Sequence, residues 1–318
     1  MDAKKLLWTF LAAAAILAAG SLTASLVMTK IAFGSPRGNQ NDDMAVARTP
    51  QYDVYRKDIQ SMIRSLNEVP YERVYITSYD GLRLAGRLYP GEPDAPVVIG
   101  VHGYRGTPSR DFSGGAALNI AAGRTVLLAE QRSQCSSEGK YITMGVRERF
   151  DCLAWVDYAL ERFGPDTKIV LNGISMGAST VLMAAGMGLP ENVRGIIADS
   201  PFTSPAEIVK SELRRRRLPQ FPFYHLLALG TETFAGFRLD EADAAEAVRS
   251  TDIPILLIHG EDDRFVPCEM SRAIAAANPN IRLETFPGAG HGLSFLADRE
   301  RYAALAEAFI RQVTSGQE

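Results

Sequence analysis

The stretch Lys168-Ile-Val-Leu-Asn-Gly-Ile-Ser-Met-Gly177 carries the strongest structural signal in the sequence. A short apolar run leads directly into Gly-Ile-Ser-Met-Gly, and a helix-like segment follows. A strand-to-helix turn this tight needs residues with almost no side chain two positions before and after the serine, and Gly173 and Gly177 stand there. The stretch therefore predicts a nucleophile elbow, which would hold the hydroxyl of Ser175 up at the edge of a sheet.

Short apolar runs on both sides of this stretch predict a mostly parallel sheet. The alternating segments 73–77 and 82–89 flank Asp80-Gly81 and predict an antiparallel hairpin. Most later runs are continuous, as expected for strands covered on both faces. They begin at or near residues 96, 125, 168, 195, 254 and 281, and helical segments lie between them at about 111–122, 146–163, 176–187, 269–277 and 298–313. This alternation predicts a doubly wound α/β fold.

The connection at about 200–250 is too long for an ordinary link between a strand and a helix. It predicts a helical insertion that lies over the strand ends as a lid. The insertion contains Arg214-Arg-Arg-Arg217 and the aromatic residues Phe221, Phe223, Tyr224, Phe234 and Phe237. We interpret the aromatic residues as packing between lid and core. The arginines form either a solvated or membrane-facing surface or a site for an acidic substrate group.

The N-terminal stretch from Leu6 to Thr29 has no charged residue and is long enough to cross a hydrocarbon core of ~30 Å. We interpret it as an uncleaved signal anchor, with a signal peptide cleaved near Thr23-Ala24-Ser25, or a buried helix, as the alternatives. Lys4 and Lys5 precede the apolar stretch. They predict a single-pass membrane protein whose N-terminus stays inside and whose catalytic part lies outside the cytoplasm.

These features divide the chain into an anchor at 1–33, a linker at 34–50 and a folded domain at 51–318. The linker is polar and rich in Gly and Pro. The domain begins with helical spacing over 51–68, which predicts a helix packed on its edge.

The composition narrows the possible partners. The chain has 318 residues, a net charge of −3 and a pI near 5.9, which argue against a nucleic-acid partner. Its three cysteines, Cys135, Cys152 and Cys268, have neither the pattern of a disulfide framework nor metal-ligand spacing.

A serine hydroxyl needs a base to take its proton, and the sequence offers four histidines. His291 lies in a Gly-rich loop after the last strand, from which a side chain can reach over the sheet to Ser175. We therefore expect His291 to be the base. His102, His225 and His259 are interpreted as hydrogen-bonded structural imidazoles.

The base in turn needs an acid to hold its tautomer and stabilise the imidazolium. The loop after the strand that ends at His259 offers Glu261, Asp262 and Asp263, all at the carboxyl edge of the sheet. Asp199 follows the preceding strand and is a further candidate.

The developing oxyanion needs N–H groups that already point at it. The elbow itself supplies the backbone N–H of Met176. The second donor is expected in the loop after the third strand, His102-Gly103-Tyr104-Arg105-Gly106, and we assign it to the backbone of Tyr104. His102 and Gly103 of the same loop are expected to border the substrate.

Taken together, the motifs over about residues 70–315 resemble the α/β-hydrolase superfamily, specifically the bacterial membrane-anchored, serine-aminopeptidase-like group. They are His102-Gly103, Gly173-Ile-Ser-Met-Gly177, Ala198-Asp-Ser-Pro-Phe202, His259-Gly-x-x-Asp263-x-x-Val-Pro267 and Gly290-His291-Gly292. The order Ser175, Asp263, His291 is that of the superfamily. Hydrolases with this acid loop carry the carboxylate fourth after the histidine, which favours Asp263 over Asp262 and Asp199.

One segment departs from the pattern that the resemblance implies. Residues 130–139 look like the family's Asp-x-Arg-Gly-x-Gly-x-Ser loop, but Glu130 replaces the Asp, and Ser, Gln and Cys stand where Gly and His are common. The departure bears on the substrate pocket rather than on the triad.

The resemblance and the motifs together predict a serine hydrolase that cleaves an ester, thioester or amide through an acyl-enzyme on Ser175, in the manner of a carboxylesterase or lipase. A small-molecule or acylated substrate is expected, with no metal and no organic cofactor. A peptidase, an acyltransferase or a non-catalytic binding protein on the same fold are the alternatives.

Overall fold

One eight-stranded sheet runs through the computed structural model, which describes residues 3–36, 44, 46 and 48–315. The strands are β1 Glu72–Thr77, β2 Arg83–Tyr89, β3 Val97–Val101, β4 Thr125–Ala129, β5 Ile169–Ile174, β6 Val193–Asp199, β7 Ile255–Gly260 and β8 Ile281–Phe286. Their spatial order is β1-β2-β4-β3-β5-β6-β7-β8. β1 and β2 form the antiparallel hairpin, β2 pairs antiparallel with β4, and all other pairs are parallel. The α/β fold with an antiparallel start is confirmed.

The helices follow the predicted alternation. They are α1 Ala3–Phe33, α2 Pro50–Asp53, α3 Arg56–Glu68, α4 Pro108–Ala121, α5 Glu148–Phe163, α6 Met176–Ala185, α7 Pro205–Arg215, α8 Gln220–Gly230, α9 Ala244–Ala247, α10 Cys268–Ala277, α11 Ser294–Ala297 and α12 Arg299–Thr314. The helix predicted to begin at 111 begins at Pro108. Thr107 accepts a hydrogen bond from the N–H of Arg110 at 3.2 Å, and proline fits the first helical position, so the helix starts there.

Apolar side chains cover both faces of the sheet. Every residue of β3, β4 and β7 is buried, which explains their continuous apolar sequences. One core forms around Trp155 and Val156 of α5, and the other includes Phe309 and Ile310 of α12. Because β3 to β8 run parallel, their carboxyl ends meet at one edge of the sheet, where the site lies.

The insertion at about 200–250 is helical, as predicted. It consists of α7, α8, a π-helical turn at Thr231–Ala235, α9 and a 3₁₀ turn at Val248–Ser250. Phe237 is buried against Phe33 of α1, with ring centroids 5.8 Å apart. The insertion thus packs on the N-terminal helix as well as on the core.

α1 is a single helix of 31 residues that contains an apolar span, Leu7–Phe33, long enough to cross a membrane. Ser25, Thr29 and Phe33 are buried, and their spacing of four places them on one side of the helix. The last third of α1 therefore packs on the folded domain, while the residues before it protrude.

The segment predicted as a linker is structured where the structure describes it. Ser35 donates its backbone N–H to the carbonyl of Lys140 at 2.9 Å, and Val46 is buried with Ile59 and Ile63 of α3. Residues 37–43, 45 and 47 of the predicted linker lie outside the described residues.

Candidate active site

Ser175 sits at the turn from β5 to α6 with φ of 56° and ψ of −117°, a conformation that side-chain-bearing residues rarely adopt. A Cβ on Gly177 would overlap the carbonyl oxygen of Val101, and one on Gly173 would overlap that of Gly177. Both glycines are therefore required by close backbone contacts. The backbone N–H of Ser175 donates to the carbonyl of Asp199 at 2.8 Å, which ties the elbow to β6.

Three side chains form a continuous hydrogen-bonded chain at this edge of the sheet. Nε2 of His291 lies 2.8 Å from Oγ of Ser175, and Nδ1 of His291 lies 2.6 Å from Oδ2 of Asp263. Because the carboxylate can only accept, Nδ1 carries the proton and Nε2 is free to accept from the serine hydroxyl. This is the tautomer that a general base requires.

The charges of the pair are coupled. Burial disfavours the imidazolium of His291, but the Asp263 carboxylate more than offsets this and raises the pKa of His291 above 6.5. Burial alone would raise the pKa of the Asp263 carboxyl. The neighbouring His291 and His259 have the larger, opposite effect and hold this pKa well below its usual range. Asp263 therefore stays ionised beside the base.

The acid loop fixes Asp263 by its backbone. Oδ1 of Asp263 accepts hydrogen bonds from the N–H groups of Phe265 and Val266, both at 2.8 Å. Nε2 of His259 lies 3.3 Å from the other oxygen, and it also contacts the Val266 carbonyl at 3.0 Å. The buried His259 is thus a structural imidazole, as expected, that in addition faces the acid.

The two other acid candidates point elsewhere. The side chain of Asp262 is exposed, and its carbonyl accepts a hydrogen bond from Gln51 at 2.6 Å. Asp199 accepts from the hydroxyls of Ser200 and Tyr302, and its burial raises the pKa of its carboxyl to about 6. Of the three, Asp263 is the one that contacts the imidazole.

The N-terminus of α6 and the loop that carries Gly103 and Tyr104 lie beside the serine. Met176 is the first residue of α6, so its N–H has no acceptor within the helix. Gly103, next to Tyr104, packs on the elbow so closely that a Cβ there would lie 3.3 Å from the Cβ of Ser175. Its N–H donates to Asp111 at 2.8 Å, which fixes the loop that carries Tyr104.

The side chain of His102, which was expected to border the substrate, is fully buried. Nδ1 donates to the Gly103 carbonyl at 2.9 Å, and Nε2 accepts from the N–H of Gln131 at 3.1 Å. Both ring nitrogens are occupied, and burial lowers the pKa of the imidazole, so His102 is a neutral brace for the loop.

The atypical segment at 130–139 serves as a support. Glu130 is buried, pairs with Arg73 and accepts from the N–H of Ser136 at 2.7 Å. Arg132 is buried between Asp151, at 2.6 Å, and Asp80, at 2.9 Å. Both charges are internally paired, so the replacement of Asp by Glu130 affects the scaffold of the site.

The N-terminal segment reaches the site, which the sequence did not indicate. The hydroxyl of Tyr52 in α2 donates to the carbonyl of His291 at 2.7 Å, and Gln51 packs against Gly290 while bonding Asp262. Val46, Ile59 and Ile63 bury Leu293 of the same loop. We call residues 44, 46 and 48–63 the N-terminal cap. The helical spacing over 51–68 marked a packed segment without indicating its partner.

The cysteines are free, and no metal-binding group of His, Cys, Asp and Glu occurs within the described part of the chain. His225 is exposed on α8, where its ring contacts Phe221 and Tyr224.

Comparisons with known proteins give a family and several relatives of the chain. The model of the prolyl oligopeptidase family matches residues 138–317. An uncharacterized protein of Bacillus subtilis is 25% identical over 203 residues, which cover 63% of this chain and 67% of that protein. A lysophosphatidylserine lipase of Danio rerio is 26% identical over 186 residues, covering 56% of this chain and 46% of that protein.

Solved structures share the fold. An esterase of Pyrococcus furiosus superposes with a TM-score of 0.65 at 23% identity and covers 89% of this chain and 100% of its own. An esterase of Butyrivibrio proteoclasticus with bound ferulic acid gives a TM-score of 0.58 at 23% identity, covering 76% and 98%. The fold predicted from the motifs is thereby confirmed.

Proposed function

Because the chain belongs to the prolyl oligopeptidase family and is a hydrolase of the α/β-hydrolase superfamily, we propose that it is a membrane-anchored serine esterase acting through an acyl-enzyme on Ser175. The observation that carries the proposal is the hydrogen-bonded chain from Ser175 through His291 to Asp263. An activated nucleophile needs this arrangement of hydroxyl, base and orienting acid.

In the first half-reaction, Oγ of Ser175 bonds to the substrate's carbonyl carbon while its proton moves to Nε2 of His291. The carbonyl oxygen becomes an oxyanion between the N–H groups of Met176 and Tyr104. When the carbon–oxygen bond to the alcohol breaks, the proton on His291 passes to the departing alkoxide. Asp263 stabilises the imidazolium that exists between these two transfers.

In the second half-reaction, water attacks the acyl-enzyme and gives its proton to His291. The same N–H groups hold the second oxyanion. His291 then returns the proton to Oγ of Ser175 as the carboxylic acid leaves, and the site is restored. Each proton that moves is thus carried by His291.

The proposed substrate is an acylated molecule located at a membrane. α1, proposed as an uncleaved anchor with the catalytic domain outside the cytoplasm, would hold the site beside the bilayer. The names of two similar proteins, an esterase and a lysophosphatidylserine lipase, support ester cleavage. The short-chain and long-chain esters of one alcohol would measure the acyl preference.

A second candidate activity would use the same triad. The family name favours peptide cleavage as the second candidate. A peptidase would hydrolyse aminoacyl amides at rates comparable with esters, and an acyltransferase would divert the acyl group to an added alcohol or amine. A binding protein would show neither reaction.

The test is active-site labelling of the full-length protein in detergent with a fluorophosphonate, together with hydrolysis of a p-nitrophenyl ester. We expect Ser175→Ala and His291→Ala to abolish labelling and to reduce turnover by about 10³-fold or more. Full-length protein is needed because the carbonyls of Ile31 and Ala32 in α1 accept hydrogen bonds from Arg105 and Tyr104.

Matched controls separate the site from general damage. Ser250→Ala and His225→Ala alter exposed residues outside the hydrogen-bonded chain and should leave labelling and turnover unchanged. A folded wild-type protein that neither labels nor hydrolyses any ester or amide would refute the proposed function.

A further inference from the structure

The apolar part of α1 that is free of the domain, Leu7 to Thr23, lies at the lower limit of the length that crosses a bilayer. From Leu7 to Thr23 the side chains are exposed, and Ser25 is the first fully buried one. These 17 residues at 1.5 Å per residue span about 26 Å, less than the ~30 Å of a hydrocarbon core. A membrane crossed by α1 therefore extends to residues that already pack on the domain.

The element that packs there is α8. A Cβ on Gly230 would overlap Oγ1 of Thr29, so the end of α8 lies directly against α1 where the span ends. α8 contains no Asp, Glu, Lys or Arg, and two of its apolar side chains are exposed, Phe221 at 75% and Leu229 at 39%. An uncharged helix with exposed apolar residues beside a membrane span suits the lipid interface better than water.

Basic residues precede this apolar helix. Residues 214–217 are four exposed arginines immediately before α8. Glu212 pairs with Arg215 at 2.6 Å and with Arg216 at 2.5 Å, whereas Arg214 and Arg217 have no ion pair with any residue that the structure describes. Cationic side chains beside an apolar helix are the combination that binds anionic headgroups.

The same surface borders the candidate active site. The guanidinium of Arg215 lies 5.0 Å from the ring centroid of Phe265, and the Phe265 ring lies 5.7 Å from that of His291. A bilayer in contact with this surface would thus lie next to the catalytic base.

We propose that residues 214–230 form a second membrane contact, in which α8 lies in the interface of a bilayer containing anionic phospholipids. This inference rests on the membrane anchoring in the proposed function. Phe221 and Leu229 insert among the acyl chains, and Arg214 and Arg217 contact the headgroup phosphates. The lid is thereby held at the surface from which an acylated substrate would enter.

Tryptophan quenching in nanodiscs made with brominated phosphatidylcholine, with and without phosphatidylglycerol, tests the contact. Native Trp8 on α1 reports whether the anchor is embedded, and Trp155 is buried in the core as a constant background. In the variant Trp8→Phe/Phe221→Trp, we expect strong quenching of the new tryptophan. Its control, Trp8→Phe/Phe163→Trp, should not be quenched, because α5 ends at the opposite edge of the sheet from the site.

Each outcome decides between the two proposals. Quenching at Trp8 without quenching at position 221 overturns the second contact while the anchor stands. No quenching at Trp8 overturns the anchor and the second contact together. Ester turnover of the same variants, measured in detergent, reports on the triad independently of either.

A second variant tests the arginines. In the variant Trp8→Phe/Phe221→Trp, the further substitutions Arg214→Ala and Arg217→Ala should remove the extra quenching that phosphatidylglycerol produces. The quenching in nanodiscs that contain only phosphatidylcholine should stay unchanged. An unchanged response to phosphatidylglycerol would overturn the proposed headgroup contact. Turnover of a soluble short ester should stay at the wild-type rate, since neither arginine belongs to the catalytic chain.

Discussion

The Ser175 elbow and the His291 loop bring two atoms within 2.8 Å of each other, yet they are held in different ways. The elbow is fixed by its own sequence, because Gly173 and Gly177 allow backbone contacts that no other residue permits. The His291 loop is fixed from the other end of the chain by the N-terminal cap. Ser175 is therefore placed locally, whereas His291 depends on a docked segment.

The largest effect should come from breaking the elbow itself. In Gly177→Ala the new Cβ would overlap the carbonyl oxygen of Val101, a backbone atom that cannot rotate away. We expect a loss of about 3 kcal/mol or more in the free energy of unfolding, with no ester turnover. Gly115→Ala is the control, since its Cβ would meet only a Phe112 ring carbon at 4.0 Å. Equal thermal stability of the two variants would contradict the close contact.

The next effect concerns the acid that orients His291. Asp263→Asn removes the charge beside Nδ1 and should lower kcat/KM by about 10⁴-fold while the protein stays folded. The neighbouring Asp262→Asn should retain wild-type kcat/KM, because that side chain is exposed and its carbonyl makes the hydrogen bond. If Asp262→Asn were the damaging variant, the acid assignment would be wrong.

The pH dependence sharpens the role of the base. His291 must be neutral to accept a proton, and its pKa is raised above 6.5. Activity should therefore be full above this raised pKa and fall as pH decreases through it, to about one thirtieth or less at pH 5. Asp199, whose pKa is about 6, also titrates in this range. If His291 causes the fall in activity at low pH, the variant Asp199→Asn should show the same fall. A pH–rate profile of kcat/KM checks both.

The smallest effect should come from loosening the cap. Tyr52→Phe removes the hydrogen bond to the His291 carbonyl, worth about 1 kcal/mol, so we expect kcat/KM to fall about fivefold. Its neighbour Tyr55 packs in the same cluster and makes no hydroxyl bond with another described residue. Tyr55→Phe should therefore leave the rate unchanged, and an identical loss in both variants would mean that the hydrogen bond has no positioning role.

The parts that follow from short sequence patterns were predictable. The elbow could be predicted because its geometry requires glycine at two fixed positions, and the parallel strands because burial on both faces makes them continuously apolar. The insertion at about 200–250 was indicated by its length alone. Each of these signals lies within a few tens of residues.

The parts held by distant contacts were not predictable. The hydrogen bond of Tyr52 to His291 spans 239 positions, and nothing in the periodicity of α2 and α3 points to it. His102 looked like a site residue because it opens the loop beside the serine. Its two ring nitrogens are instead hydrogen-bonded to Gly103 and Gln131, and these contacts depend on how β4 is placed next to β3.

The cap also has a consequence for biosynthesis. Synthesis proceeds from the N-terminus, so Val46, Ile59 and Ile63 leave the ribosome long before Leu293, which they bury. Until Leu293 is synthesised, the apolar surface of these residues has no partner on this loop. It stays exposed on the growing chain, where chaperones can bind it and aggregation can begin. Closure of so long a loop is slow compared with helix formation. The candidate site is therefore complete only once the N-terminal cap has packed on the His291 loop.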